Sequence, residues 1–406
     1  MQTRAIAYRA SHEAIPLFGI YALLFRDSGL SSTQISVLLV VWSVSAFLLE
    51  VPSGAWADLV DRRRLLVASG VVYVAAFLTW LTWPSFWGFL LGFVLWSVSD
   101  AMHSGTWEAY LFDQLADHGA SASYGRIRAR AESVALVVMA AAIAVAAPLH
   151  QLGGYPLVGW ASAAVAVVHV GVTLSLPRAG QGRHRAEPDD PVPDRTTPRA
   201  VAPTPETSGG PDTWRGTLAA GLRHARGSQP VRRILLGYAA IVALVGFDEF
   251  LPLVLAADGI TVGGVALVMA AIVLLEAVAT WLADRVALLR GARHAALVGV
   301  AGLLLAGGAW WSGWVAAAAL ACGYALASSA YVAGDVRLQH ALEESAPRAT
   351  VTSVASVVAE LGFLVTLACV GLATLVLDLT TVVAATALVL TLPAVLAAWR
   401  MPAGRA

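Results

Sequence analysis

No lysine occurs in the 406 residues; all 26 basic groups are arginine, and charged residues make up only 13% of the chain. Cysteine is nearly absent as well. The two that exist, Cys322 and Cys369, lie in apolar runs without the spacing of a disulfide framework or a zinc site, and are expected to be small core residues. Neither a metal nor a cofactor is expected. The 26 acidic groups balance the 26 basic ones, so net charge gives no reason to expect a nucleic-acid or acidic partner. Arginine without lysine, together with abundant alanine, suits a GC-rich bacterial genome. What the chain has in excess is apolar residues, at 58%, too many to hide inside a water-soluble globule, so the solvent for most of it is lipid.

Apolar runs of about 20 residues, the length that crosses a hydrocarbon core, recur with short polar breaks. Twelve are counted: Ala5–Phe25, Ile35–Ala57, Leu65–Leu81, Phe86–Ala109, Ala129–Leu149 and Pro156–Leu176, then Ile234–Ala256, Val262–Ala283, Ala295–Trp311, Trp314–Gly334, Ala349–Val376 and Leu379–Ala398. The expected fold is therefore an all-α membrane protein of twelve transmembrane helices in two six-helix halves, 1–176 and 231–406. The first run carries Arg4, Arg9, His12 and Glu13 and has no small-residue cleavage site, so it reads as a span rather than a signal peptide.

Arginine fixes the expected orientation, because basic residues near span ends stay on the cytoplasmic side. Arg62–Arg64, Arg126, Arg128, Arg130, Arg285, Arg290, Arg293, Arg337 and Arg348 all fall in breaks on one side, and Arg26 is the lone basic residue on the other. Both termini are thus expected in the cytoplasm of a bacterial inner-membrane protein. The polar stretch 177–230 contains DDPVPDRTTPRAVAPTPETSGGPD and is too poor in apolar residues to fold alone. It reads as a linker on the same side, either disordered throughout or carrying a short interfacial helix capped by Asp212, with Trp214, Leu218 and Leu222 on one face.

The chain repeats itself. Leu48-Leu49-Glu50 followed by Ala57-Asp58 returns as Leu274-Leu275-Glu276 followed at the same interval by Ala283-Asp284. Arg128-Ala129 with Ser133-Val134-Ala135 returns as Arg348-Ala349 with Ser353-Val354-Ala355, and the turn GLSSTQI from Gly29 is matched by GITVGGV from Gly259. A duplicated six-span unit places a substrate site where the halves meet, near the bilayer midplane.

The stretch Gly54-Ala55-Trp56-Ala57-Asp58-Leu59-Val60-Asp61-Arg62-Arg63-Arg64 resembles the loop signature between the second and third helices of the major facilitator superfamily, G-x-x-x-D-x-x-G-R-[RK]-x. Asp61 departs from it where the family has glycine. Glu50-Val51-Pro52-Ser53 and Ser104-Gly105-Thr106-Trp107-Glu108-Ala109 are similar to a bacterial subgroup of drug and metabolite exporters. The resemblance implies a gating cluster at Gly54, Asp58 and Arg62, with Asp284 as the repeat of Asp58, and spans one, four and seven around a central cavity.

Carboxylates inside spans are costly, roughly 2.5–3.5 kcal/mol each at a helix centre, and so face water-filled cavities or partners. Glu13, Asp100, Asp248 and Glu249 sit well inside spans one, four and seven. On span four, Ser97, Asp100, Ser104 and Trp107 or Glu108 recur at helical spacing with His103 beside them, one polar stripe on one face. Glu132, four residues after Arg128, reads as its helical ion-pair partner, and His169 as a packing residue. The expected function is a secondary transporter that exports a small amphipathic organic molecule in exchange for protons, working as a monomer in the bilayer. The helix-five Gly-Pro signature of antiporters in the family is replaced by Ala146-Ala147-Pro148-Leu149, which leaves proton-coupled uptake of a metabolite as the alternative. An integral-membrane enzyme using Asp100 and His103 is the rival from another class.

Overall fold

The computed structural model describes residues 1–178, 229–342 and 348–402, without the side chains of 50–59, 230, 341–342 and 348–354. The linker and its candidate helix at Asp212 fall outside the described residues. Among those described there is no strand. Fourteen helices are numbered in chain order: α1 Gln2–Glu13, α2 Tyr21–Asp27, α3 Ser32–Leu59, α4 Arg62–Thr82, α5 Phe86–His103, α6 Thr106–Ala116 and α7 Tyr124–Leu174 make the first half. The second half is α8 Gln229–Val245, α9 Leu251–Ala257, α10 Val262–Ala287, α11 Gly291–Trp310, α12 Gly313–Leu342, α13 Arg348–Ala373 and α14 Leu379–Arg400.

Among the described residues, nine helical stretches are long and apolar enough to cross a membrane. One of them, α7, is two spans joined at Gly153 and Gly154, whose backbone leaves helical geometry just before Pro156. The remaining two spans are broken helices, α1–α2 and α5–α6, and with them twelve crossings are complete. The breaks have local causes. Pro16 denies its amide to α1 and disfavours helix at Ile15, so α1 stops and a 3-10 turn, Pro16–Gly19, intervenes. The seventh span repeats the device: α8 ends at Val245, a 3-10 turn covers Asp248–Phe250, and Pro252 opens α9. Span four breaks at Ser104–Gly105, where Gly105 has φ +70°, so the polar stripe expected on one continuous face is divided between α5 and α6.

The repeated turns coincide in their hydrogen bonds. Leu30 N donates to Phe25 O at 3.2 Å, and Ile260 N to Leu255 O at 3.1 Å, around Gly29 (φ +97°) and Gly259 (φ +84°). Asp61, the departure from the loop signature, has a job of its own: its carboxylate accepts from Arg64 N at 3.0 Å and caps α4.

Packing follows membrane rules, with small residues where helices cross. A Cβ added at Gly302 would lie 1.8 Å from the Thr391 hydroxyl, and one at Gly323 would lie 3.0 Å from Ala301 O. An aromatic wedge of Phe25, Phe77, Trp80, Phe89 and Phe93 fills the first half near the ends of the spans opposite the termini. Trp87, Trp281, Trp310, Trp314 and Trp399 are exposed near span ends, as interfacial anchors are. Cys322 and Cys369 are both exposed, which corrects the expectation that they are core residues.

Cross-half hydrogen bonds seal the side away from the termini. Thr33 and Thr374 hydroxyls lie 3.0 Å apart, Ser36 donates to Leu367 O at 2.6 Å, and deeper down Ser43 bonds Glu360. Ile143 of span five packs against Met269 and Ala270 of span eight along the same seam.

Candidate functional site

Two polar clusters lie inside the membrane, one in each half. The first is organised by Arg9. Its guanidinium forks onto Glu132, Nε and Nη2 each 2.9 Å from a carboxylate oxygen, and also reaches Glu13 at 3.1 Å and His103 Nε2 at 3.3 Å. One turn of helix places Arg9 and Glu13 on the same face of α1, while Glu132 comes from span five. His12 Nδ1 lies 3.1 Å from Glu13, and its ring stacks on Tyr73 and His103 at centroid distances of 5.0 and 4.7 Å. Tyr8 Oη is 2.8 Å from His103 Nδ1, and its ring stacks on buried Trp107 at 4.1 Å. Asp100 sits at the edge of this group, close to Trp96.

Glu13, His103 and Trp107 lie in one cluster with Asp100 at its edge, and its centre is Arg9, which the sequence did not mark as a site residue. Its signal was the four-residue spacing to Glu13. Glu132 does not pair with Arg128: that arginine bonds Glu108 at 3.3 Å, and Glu132 takes Arg9 instead. His169 is fully buried, 2.9 Å from the Ser11 hydroxyl and packed against Tyr8 and His12, so it belongs to the cluster.

The break in span one is stitched from outside. Leu17 N, left without a helical acceptor, donates to the Ser162 hydroxyl of span six at 3.0 Å, and the Tyr73 hydroxyl bonds His12 O at 3.3 Å. Polar main chain at membrane depth is tolerated because other spans satisfy it.

The second cluster occupies the matching break in span seven. Asp248 accepts from the Tyr324 hydroxyl at 2.9 Å, and Glu249 from the hydroxyl of Tyr21 on α2, a residue of the other half. Glu276 of span eight lies nearby, close to Ser328. Among the described residues no arginine or histidine pairs with Asp248, Glu249 or Glu276. Asp248 Oδ1 also accepts from Glu249 N at 3.0 Å, so the donors to this pair are neutral hydroxyls and one main-chain amide.

Gly54 and Asp58 fall on the last turns of α3, where side chains lie outside the described residues. Arg62 pairs with Asp113 on α6, tying the turn after span two to the end of span four. Asp284 is exposed beside Arg285, whose guanidinium lies over Trp281, 5.4 Å from the ring centroid. The equivalent turn of the second half is held differently: Arg337, fully buried, donates to Ala287 O, Val286 O and Leu289 O at 3.0, 3.1 and 2.7 Å and contacts His294 at 2.9 Å. No group of three or more metal-ligating side chains occurs among the described residues.

Two six-span units, matching breaks in spans one and seven, and a seam closed on one side make an architecture that one family model also recognises, the Major Facilitator Superfamily, over residues 13–367. This chain belongs to that superfamily. It is a multi-pass secondary transporter of the alternating-access kind. Solved major facilitator structures share its fold at low identity. A bacterial homologue of the human lysosomal transporter Spinster, inward-facing and unoccupied, is 14% identical with a TM-score of 0.71, covering 98% of this chain and 96% of that one. The nucleoside transporter NupG is 14% identical at TM-score 0.64 (98% and 96% covered), and a bacterial homologue of the iron transporter ferroportin, inward-facing, is 14% identical at 0.65 (98% of each). No curated protein matches the sequence.

Proposed function

We propose that this major facilitator protein exports a small amphipathic organic molecule in exchange for protons, acting as a monomer in a bacterial inner membrane with both termini cytoplasmic. One observation carries the coupling: the adjacent Asp248 and Glu249 at the seam, bonded to tyrosine hydroxyls and to no cation among the described residues. Charge at this depth is penalised unless neutralised, and a proton is the smallest neutralising group. Glu249 also reports the state of the seam, because its partner Tyr21 belongs to the opposite half. Parting the halves on the far side breaks that bond and turns Glu249 towards the opened face, where a proton is taken up; closing returns the carboxyl to the inward cavity. Substrate moves the opposite way between the same two states.

The Arg9 cluster, charged on both signs and lined by Tyr8 and Trp107, supplies an aromatic and ionic wall for the organic substrate. Structural neighbours named for nucleoside and lysosomal transport show how widely substrates vary over this fold, so the molecule itself is to be found by screening compounds for thermal stabilisation of the purified protein. The assay is flux in proteoliposomes under an imposed pH gradient. An inside-acid gradient in vesicles should drive counter-flow of the stabilising compound; accumulation down the proton gradient instead means uptake by symport, and no response to pH removes protons from the mechanism. For topology, a cysteine at Ser28 and one at Arg290, in a Cys322→Ala/Cys369→Ala background, should label from opposite sides, Arg290 from the cytoplasm.

A further inference from the structure

The face that carries the termini holds a cavity of about 540 Å³ between the starts of spans one and five and the end of span four, away from both clusters. Its charge is of one sign. Arg4 from α1, His118 from the end of span four and Arg126 from the start of span five line it, and no carboxylate does. Arg9, Arg62 and Arg128 each have a carboxylate partner, whereas Arg4 and Arg126 have none among the described residues; Arg126 bonds the Ser123 hydroxyl at 3.2 Å. The floor is apolar, formed by Leu115 and Ile127, both buried and continuous with the small core around Trp107.

Unpaired guanidiniums above an apolar floor, at the level where spans leave the bilayer, select for a ligand with an anionic head and an apolar continuation. Arginine suits phosphate because its planar fork can donate two parallel hydrogen bonds to one group. We propose that this cavity is a phosphate-binding site, distinct from the transport pathway, that holds the phosphodiester of an anionic phospholipid such as phosphatidylglycerol. Seated there, the lipid ties the ends of spans one, four and five together at the membrane surface. A free phosphate ion meets the same cations, and the two sources separate by whether an acyl chain is required.

The test is native mass spectrometry of the full chain released from detergent with phosphatidylglycerol, phosphatidylcholine or inorganic phosphate, comparing the parent with Arg4→Gln/Arg126→Gln and with Arg290→Gln as a control outside the cavity. Each arginine near a lipid surface is worth about 1 kcal/mol, so the double variant should bind phosphatidylglycerol on the order of 30-fold more weakly, and each single variant about 5-fold. Phosphatidylcholine should not compete, and Arg290→Gln should bind like the parent. Thermal unfolding of each variant confirms folding, and the single variants carry the test if the double one does not fold. Protection by inorganic phosphate as strong as by the lipid keeps the site and assigns it to the soluble ion. Undiminished lipid binding in the double variant, equal loss in Arg290→Gln, or equal binding of phosphatidylcholine overturns the proposal.

Discussion

The two halves place acid at matching breaks of spans one and seven but treat it oppositely. In the first half, Glu13 and Glu132 are clamped by one guanidinium, and histidines and tyrosines complete the network. In the second, Asp248 and Glu249 rest on Tyr324 and Tyr21 with no cation among the described residues. A compensated cluster has little electrostatic reason to change; an uncompensated one favours a bound proton, which is what the proposed coupling uses. On the mechanism proposed above, the two copies of one unit have diverged into a part that holds and a part that switches.

Removing the switch should produce the largest effect. Glu249→Gln and Asp248→Asn should each lower pH-driven accumulation in proteoliposomes by at least about 10-fold, the loss of roughly 1.4 kcal/mol of coupling, while downhill exchange continues. Full pH-driven transport in both would place coupling elsewhere, with Asp100→Asn and Glu13→Gln the next variants to assay. Breaking the clamp should show in stability more than in coupling. Removing one partner of a fully buried pair costs about 3–5 kcal/mol, and because the Glu132 side chain is 38% exposed the cost of Arg9→Gln should be on the order of 2 kcal/mol, read as a fall in thermal midpoint. Adding Glu132→Gln to Arg9→Gln should recover part of it; a double variant worse than the single would mean that the two do not form one unit.

Smaller again is Ser162→Ala. It strands Leu17 N at the break in span one and should cost about 1–3 kcal/mol if water cannot reach it, or nearly nothing if the cavity wets the break, so the midpoint measures hydration there. Least visible in stability is Arg62→Ala. The pair with Asp113 is solvent-accessible, 33% and 49% exposed, and should contribute under about 1 kcal/mol, yet flux should fall because the turn after span two is untied. Normal turnover would reduce Arg62 to topogenic charge.

Spans and repeat were legible because lipid demands length and apolarity, and because duplicated strings carrying Glu50, Asp58, Glu276 and Asp284 stand out from apolar background. Partners were not legible, since Arg9 finds Glu132 across 123 residues and Tyr8 finds His103 across 95. Local rules misled where a stronger distant geometry competed: an i,i+4 pair such as Arg128 with Glu132 is worth only about 0.2–0.5 kcal/mol, less than a bidentate fork. The continuous stripe on span four assumed an unbroken helix, and Gly105 ends it. Cys322 and Cys369 were placed in the core by a rule made for water; in lipid an apolar side chain gains nothing by being inside.

Arg337 has a mechanical meaning. A guanidinium cannot be deprotonated in a protein, and this one grips three carbonyls at the end of α10 without a carboxylate among the described residues that acid could neutralise. Bonds to neutral carbonyls are little screened by salt, so the turn after span eight is held firmly against span ten, with His294 as the one titratable neighbour in contact among the described residues. Its counterpart in the first half is held by an exposed ion pair, Arg62 with Asp113, and by Arg63 on Leu174 O, and the ion pair should weaken as ionic strength rises. The two repeated halves thus carry one firmly held turn and one looser turn on the face of the termini.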